Sequence, residues 1–286
     1  MRRLWCVVAV GLALAACGSD TTASSTASAS GSSASSSSPS ASSSSSGAGG
    51  TTTTVKVYFL RDEKVGPAGR SVPQTQTPAR TAMEELLKGP TGKDTSAGLS
   101  TTIPSGTTLN RVSIDQGIAT VDLSSEFGAG GGSTSMQGRV AQVVYTLTQF
   151  PTVTAVSFEL DGKPATTLGG EGVVLDHPQA RGDWEAFTPA ILVETPLPQA
   201  TVTSPAHVVG TANTFEATFQ IRLTDASGKK LYEHFATATS GTGTRGTFDE
   251  AITFDPVDHG SATLTVYELS AKDGSEINVV SIPVSI

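Results

Sequence analysis

Thiols are nearly missing from this chain: Cys6 and Cys17 are the only cysteines, and both lie close to its start. That excludes a disulfide framework or a paired-cysteine metal site in the body of the protein. Charge is also scarce, at 15% of residues, and its balance is acidic, with a formal net charge of −8. No cluster of Lys and Arg occurs, so no nucleic-acid partner is expected, because neutralising phosphates needs such a cluster. The same acidity excludes docking on anionic lipid by charge alone. Long apolar runs are missing too. Leu4 to Ala16 is apolar but too short to span a bilayer comfortably. No His-Xaa-Xaa-Xaa-His pair, acidic calcium loop or Gly-Xaa-Ser-Xaa-Gly elbow is present, which predicts no metal, no cofactor and no serine-nucleophile chemistry.

What is present begins with a leader. Arg2 and Arg3 precede the apolar run, which closes on Leu14-Ala15-Ala16-Cys17 and continues Gly18-Ser19-Asp20. This order of charge, apolar core, small residues and cysteine resembles a bacterial lipobox. The resemblance implies a signal peptide over residues 1–16, diacylglycerol on the Cys17 sulfur, further acylation such as palmitate, and a lipid anchor on the extracytoplasmic face of the cell membrane. Cys6 is lost with the leader. Without Arg2 and Arg3 the remainder holds 16 basic against 26 acidic residues, a formal −10. From Thr21 to Gly50 the chain is Ser, Ala, Thr and Gly, with Pro39 the one exception. It carries no charge and no large apolar side chain, so it cannot offset its chain entropy by burial. Residues 17–54 are therefore read as the lipidated Cys17 and a disordered tether, reaching roughly 35 Å as a coil and about 120 Å extended.

Folded sequence begins at Val55. Val55, Val57 and Phe59 alternate with polar neighbours and predict a strand, followed by a polar loop. Thr77-Pro78 predicts a helix start, with Ala79, Ala82, Met83, Leu86 and Leu87 on one apolar face and Gly89-Pro90 as the stop. Leu109–Ile114 and Ile118–Leu123 read as strands joined through Asp115-Gln116-Gly117. A Gly-rich loop over residues 128–132 leads to a second helix faced by Met136, Val140, Val143, Val144 and Leu147. Phe150-Pro151 ends it, and Val153–Leu160 is a last strand closed by Asp161-Gly162. The order β-α-β-β-α-β predicts an α+β domain over 55–163 with its helices on one face of a single sheet. Lys56, Tyr58, Thr120 and Asp122 are then expected on the other, open face.

Four blocks in this order carry a resemblance: Leu86-Leu87-Lys88-Gly89-Pro90, Ile103-Pro104-Ser105-Gly106-Thr107, Gly117-Ile118-Ala119-Thr120-Val121-Asp122-Leu123-Ser124, and Val143-Val144-Tyr145-Thr146-Leu147-Thr148-Gln149-Phe150-Pro151. The segment resembles the sporulation and spore-germination domain called GerMN, whose members include many exported envelope lipoproteins. Residues 164–190 are Pro- and Gly-containing but carry Trp184 and Phe187, and read as a connecting strap whose rings pack on a domain. From 191 to 286 the pattern is all-β. About seven short strands predict an immunoglobulin-like sandwich. Phe215, Ala217, Phe219, Ile221 and Leu223 alternate with polar residues. Ser204-Pro205, Gly210-Thr211-Ala212, Phe215-Glu216, Asp225 with Gly228, and Ser270 with Asp273-Gly274-Ser275 give this stretch its resemblance to the immunoglobulin-like domain of bacterial spore germination.

Candidate chemistry is thin. His177, His207, His234 and His259 have no partners at ligand spacing; His234 reads as a half-buried strand residue and the others as loop residues. The Gly-rich run lacks the Gly-Lys-Ser/Thr of a phosphate cradle. Asp122, Glu126, Glu159 and Asp161 are the carboxylates available for glycan hydrolysis, and for Asp122 turn hydrogen bonding is an adequate explanation. The reading is a non-catalytic binding or assembly module of the bacterial cell envelope. It is anchored through Cys17 and has an envelope protein or cell-wall partner. The alternative is a cell-wall hydrolase whose sandwich binds carbohydrate.

Overall fold

Alternation over Val55, Val57 and Phe59 does produce a strand, and the chain after it folds straight back. The computed structural model describes residues 51–170, 172–255 and 260–286. Cys6, Cys17, the tether up to residue 50 and His259 lie outside the described residues, and the last expected tether residues, Thr52 to Thr54, already belong to the first strand. Strand β1 (Thr52–Arg61) pairs antiparallel with β2 (Lys64–Pro73) through the turn residues Asp62 and Glu63, both at positive φ. The segment expected as a polar loop is thus a strand. Its Gly66, Pro67, Gly69 and Pro73 hide the alternation, and prolines are tolerated there because β2 is an edge. Pro67 lies opposite Tyr58, whose N–H points away from β2, so this pair asks no hydrogen bond of the proline.

The helices follow in the expected places. α1 (Pro78–Leu87) starts at Thr77 with Pro at its first position and buries Ala79, Ala82, Met83 and Leu86. The Thr77 side chain does not cap it. A short α2 (Gly92–Ser96) carries a capping box between Thr91 and Asp94. β3 (Leu109–Asp115) and β4 (Ile118–Leu123) form a hairpin, with Gln116 at φ 46° and Gly117 at φ 86°. That pair of left-handed residues suits a tight right-twisted turn. α3 (Ser133–Leu147) then crosses over to β5 (Ala155–Leu160), which runs parallel to β4. The two-residue β6 (Lys163–Pro164) completes the order β3-β4-β5-β6.

Two features depart from the expected layout. The first domain is α+β, but it holds two ladders, the β1–β2 hairpin and the four-stranded sheet, where one sheet was expected. Between them α3 is no one-faced helix. It packs on β1, β2, β5, α1, the two-residue β8 (Val173–Val174) and the 3-10 helix Arg181–Phe187. Arg139, Gln142, Tyr145 and Thr146 are therefore buried along with its apolar residues. The other departure concerns the supposed open face. Tyr58 is 0% exposed and Asp122 only 7% exposed, while Lys56 and Thr120 are half-buried. The strap and the second domain cover Tyr58.

Residues 164–190 belong largely to the first core. β7 (Thr167–Leu168) pairs with β8, and Leu168, Val173, Leu175, Trp184 and Phe187 join the cluster around α3. The Trp184 and Phe187 rings sit 6.2 Å apart, and both side chains are buried, as their types and spacing predicted. The Trp184 indole N–H is buried without an acceptor, so packing holds that ring in place.

The second domain is a sandwich of two antiparallel sheets. One has the order β13-β10-β9 and the other β12-β11-β14-β15. Its strands are β9 (Ile191–Thr195), β10 (Ala206–Ala212), β11 (Thr218–Asp225), β12 (Lys230–Thr237), β13 (Gly246–Ile252), β14 (Ser261–Leu269) and β15 (Glu276–Ser285). Phe219, Ile221 and Leu223 face the core with Phe248, Leu264 and Val266. Phe215 does not extend this row: Phe215–Ala217 is a 3-10 turn with Glu216 and Ala217 at positive φ, and the Phe215 ring is exposed. The described residues form one compact unit. In β9, Leu192 packs into the first core, whereas Ile191 and Val193 pack into the second.

Candidate functional site

A polar grouping lies where the two domains meet. Alternate residues of β1 turn their backbone groups away from β2, toward α3 and the loop before β3. The Gln149 side-chain amide accepts from Lys56 N (2.8 Å) and donates to Lys56 O (2.6 Å). Thr146 Oγ1 accepts from Tyr58 N at 3.1 Å, and Leu60 exchanges both backbone bonds with Ser100 at 2.8 Å. Side chains of α3 and its C-terminal turn thus do the work of a neighbouring strand.

The Tyr58 ring, packed on Tyr145 of α3, meets Arg181 of the strap. The Arg181 guanidinium lies 5.6 Å from the Tyr58 ring centre and 4.6 Å from that of Tyr145. It donates to Thr148 Oγ1 at 2.8 Å and to the Glu194 carboxylate at 3.1 Å. The Tyr58 hydroxyl also donates to Glu194, and the Tyr145 hydroxyl pairs with Thr188 at 2.5 Å. Burial raises the Tyr58 phenol well above its ordinary pKa, and the Glu194 charge adds to this. Burial alone would raise Glu194 as well, but Arg181 and the Tyr58 hydrogen bond outweigh it and hold the carboxyl low. Arg181 is pulled toward its neutral form by burial, yet Tyr58 and Glu194 push it up on balance. The arrangement keeps one cation and one anion paired and holds a tyrosine protonated. A second pair lies nearby: Arg245 grips Glu185 at 2.8 and 2.9 Å and donates to Pro189 O at 2.8 Å, while Asn213 donates to Glu185 at 2.9 Å.

Beside these contacts runs a groove of two adjoining lobes, about 180 and 190 Å³. The lobes share Arg61, Gly66, Pro67, Val193 and Val280. It is mostly aliphatic, with Asp62 and Lys64 lining one lobe only.

The candidates read from sequence fall elsewhere. The Gly-rich loop encloses Arg139, not an anion. Every guanidinium N–H of Arg139 finds an acceptor: Thr102 O, Phe127 O, Ala129 O, Gly130 O and, at 3.5 Å, Ser135 Oγ. This buried cation is satisfied by carbonyl dipoles, and burial lowers its pKa. Asp122 and Glu159 are register partners on β4 and β5, but both are engaged. Asp122 accepts from Gly162 N (2.9 Å) and Asn110 (3.3 Å), which holds the Asp161-Gly162 turn. Glu159 pairs with Arg111 at 2.7 Å. His207 is on strand β10, not in a loop, and meets Asp249 at 2.6 Å; His234 on β12 is exposed, not half-buried. His177 sits between Asp176 (2.8 Å) and Asp183 (3.5 Å) and is raised chiefly by its bond to Asp176. Among the described residues no group of three or more His, Cys, Asp or Glu side chains could hold a metal ion.

Arg181, Glu194, Glu185 and Arg245 were not singled out by sequence reasoning. The one available signal was charge in an otherwise apolar setting: Arg181 beside Trp184, and Glu194 closing the run Ile191-Leu192-Val193.

Comparison with known proteins agrees with both resemblances. Residues 56–166 match the family model described as sporulation and spore germination, and residues 190–275 match the immunoglobulin-like domain of bacterial spore germination. Among solved structures, the first GerMN domain of the sporulation protein GerM from Bacillus subtilis is 26% identical, over 46% of this chain and 99% of that one, with a TM-score of 0.41. The tandem GerMN domains of the same protein are 19% identical, over 71% of this chain and 62% of that one, with a TM-score of 0.41. A Clostridium perfringens chain provisionally described as a lipoprotein is 22% identical, over 48% of this chain and 93% of that one, with a TM-score of 0.35. No curated protein matches the chain.

Proposed function

Because this chain carries a sporulation and spore-germination domain followed by the immunoglobulin-like domain of bacterial spore germination, we propose that it is a lipid-anchored, non-catalytic binding or assembly module of the bacterial cell envelope. The carrying observation is the coincidence of this domain pair with the leader sequence Leu14-Ala15-Ala16-Cys17 and the charge-free stretch after it. Lipid on Cys17 fixes the protein to the extracytoplasmic face of the membrane, and the tether carries the folded part away from it. Among the described residues no helix is long and apolar enough to cross a membrane. A surface-mediated role is supported by the engagement of Asp122, Glu159 and Arg139 in internal contacts. It is also supported by exposed apolar side chains on the second domain. Phe215, Phe235, Leu269, Ile277 and Val279 all lie on or beside the four-stranded sheet.

The test is fractionation of the Cys17→Ser protein from its host. Release into the soluble fraction, or retention of the uncut leader, is the expected outcome. A Cys17→Ser protein that is cleaved normally and still sediments with membrane refutes the anchor. Turnover of purified cell-wall polymer by the full chain refutes the non-catalytic part.

A further inference from the structure

The geometry points to the two domains forming a single cooperative folding unit, braced across their junction by Arg181. Ordinary contacts between domains of one chain are polar and permit relative motion. Here three ties of different kind cross the seam.

One tie is apolar. Leu192 is 2% exposed and belongs to the core around α3, while its neighbours Ile191 and Val193 belong to the core of the sandwich. The first strand of the second domain cannot detach without opening the first core as well. Another tie is the buried ion pair. Arg181, Tyr58, Tyr145 and Thr148 lie on the first domain's side, and Glu194 comes from β9. The Arg181 and Glu194 side chains are only 26% and 14% exposed. Unfolding either domain alone would leave one of these charges half-buried without its partner, which costs more than removing both. The remaining tie is the Glu185–Arg245 pair with Asn213, joined by the Lys64 ammonium, which donates to Ala186 O at 2.5 Å. It spans β2, the strap, the turn after β10 and the residue before β13. The ties act on the same short stretch, residues 181–194, so the strap functions as a keystone of both domains. On this reading residues 55–163 and 191–286 do not fold independently.

The test is native-state hydrogen exchange on the detergent-solubilised full chain over a urea series. Amides of β4 report the first domain and amides of β11 the second. The expected result is one shared opening, with equal urea midpoints for both sets and for heat unfolding by both probes. Two transitions that open separately overturn the inference. Arg181→Met keeps the aliphatic stem and removes the charge. It should lower Tm by about 10 °C and weaken both domains together. Adding Glu194→Gln should recover part of that loss, since no unpaired charge remains. Loss of protection in one domain alone also overturns the brace. If Arg181→Met fails to fold, the wild-type exchange data decide the question.

Discussion

Thr146→Val should destabilise the protein by about 1–3 kcal/mol, although it changes almost no volume and exposes no new surface. Thr146 is 0% exposed, and its hydroxyl is the acceptor for Tyr58 N at 3.1 Å. Valine fills the same space and has a similar helix propensity, so neither a cavity nor a helical penalty of more than a few tenths of a kcal/mol arises. What remains is a strand N–H, buried beneath α3, with no acceptor and no route to water. Gln149→Ala breaks two bonds to Lys56, yet both are only part-buried, so water can replace the amide. Its cost should be about 1–2 kcal/mol, no greater than that of the single buried bond. The pair should couple when combined, because both close the same strand edge. Urea unfolding of a chain starting at Cys17, followed by Trp184 fluorescence, measures all three, since the other tryptophan, Trp5, is then left out. A Thr146→Val midpoint equal to wild type, or a Gln149→Ala effect clearly larger than it, would refute side-chain closure of the β1 edge.

Arg139→Lys keeps the charge but offers three donors where five acceptors converge; a loss of about 2–4 kcal/mol is expected, and an unchanged urea midpoint would mean the carbonyl cage is not a stabilising feature. Gly210→Ala places a Cβ 2.0 Å from Leu192 O and 2.7 Å from Phe248, at the irregularity between Val209 and Gly210; soluble, fully folded Gly210→Ala with wild-type Tm would contradict the β9–β10 geometry. Stability should fall at both ends of the pH range. Glu194 is held below its ordinary pKa, so its contribution is present above the usual carboxylate range and is lost as pH falls through the folded value. Tyr58 is raised, so its contribution is present below about 10 and is lost as pH climbs toward the folded value, because the unfolded phenol then ionises first. Tyr58→Phe should flatten the alkaline limb; an alkaline limb unaltered in Tyr58→Phe would assign it to other groups.

Periodicity found the elements whose two faces differ. α1 and the row Phe219, Ile221 and Leu223 of β11 could be read because one side is buried in a core and the other is more open. It failed where a segment is enclosed or punctuated. β2 carries two prolines and two glycines, acceptable on an edge, and so looked like a loop. α3 was read as amphipathic from its aliphatic residues, because nothing in a sequence says that Arg139, Gln142 and Thr146 will be buried with their hydrogen bonds satisfied. Tyr58 was placed on an open face for a related reason: alternation gives the side of a strand, not what lies beyond it. The polar grouping at the junction was hidden most thoroughly. Its members come from positions 58, 145, 148, 181 and 194, and no local spacing links them. The carboxylates were the reverse case. For Asp122 turn hydrogen bonding is the expected explanation, and its carboxylate does accept from Gly162 N in the Asp161-Gly162 turn.

The division of β9 between two cores carries a rule about parity. Leu192 looks one way and its two neighbours the other, so the strap sets which side each residue serves by whether its length is odd or even. An insertion of a single residue ahead of position 191 would exchange the tenants of the two cores, while an insertion of two would restore them. Ile191, Leu192 and Val193 are all aliphatic, so hydrophobicity cannot tell the correct phase from the slipped one. The distinction falls to Glu194, the next residue along, which finds Arg181 in one phase and apolar side chains of the sandwich in the other. A lone carboxylate thus acts as the frame marker for a stretch that would otherwise read equally well in both frames.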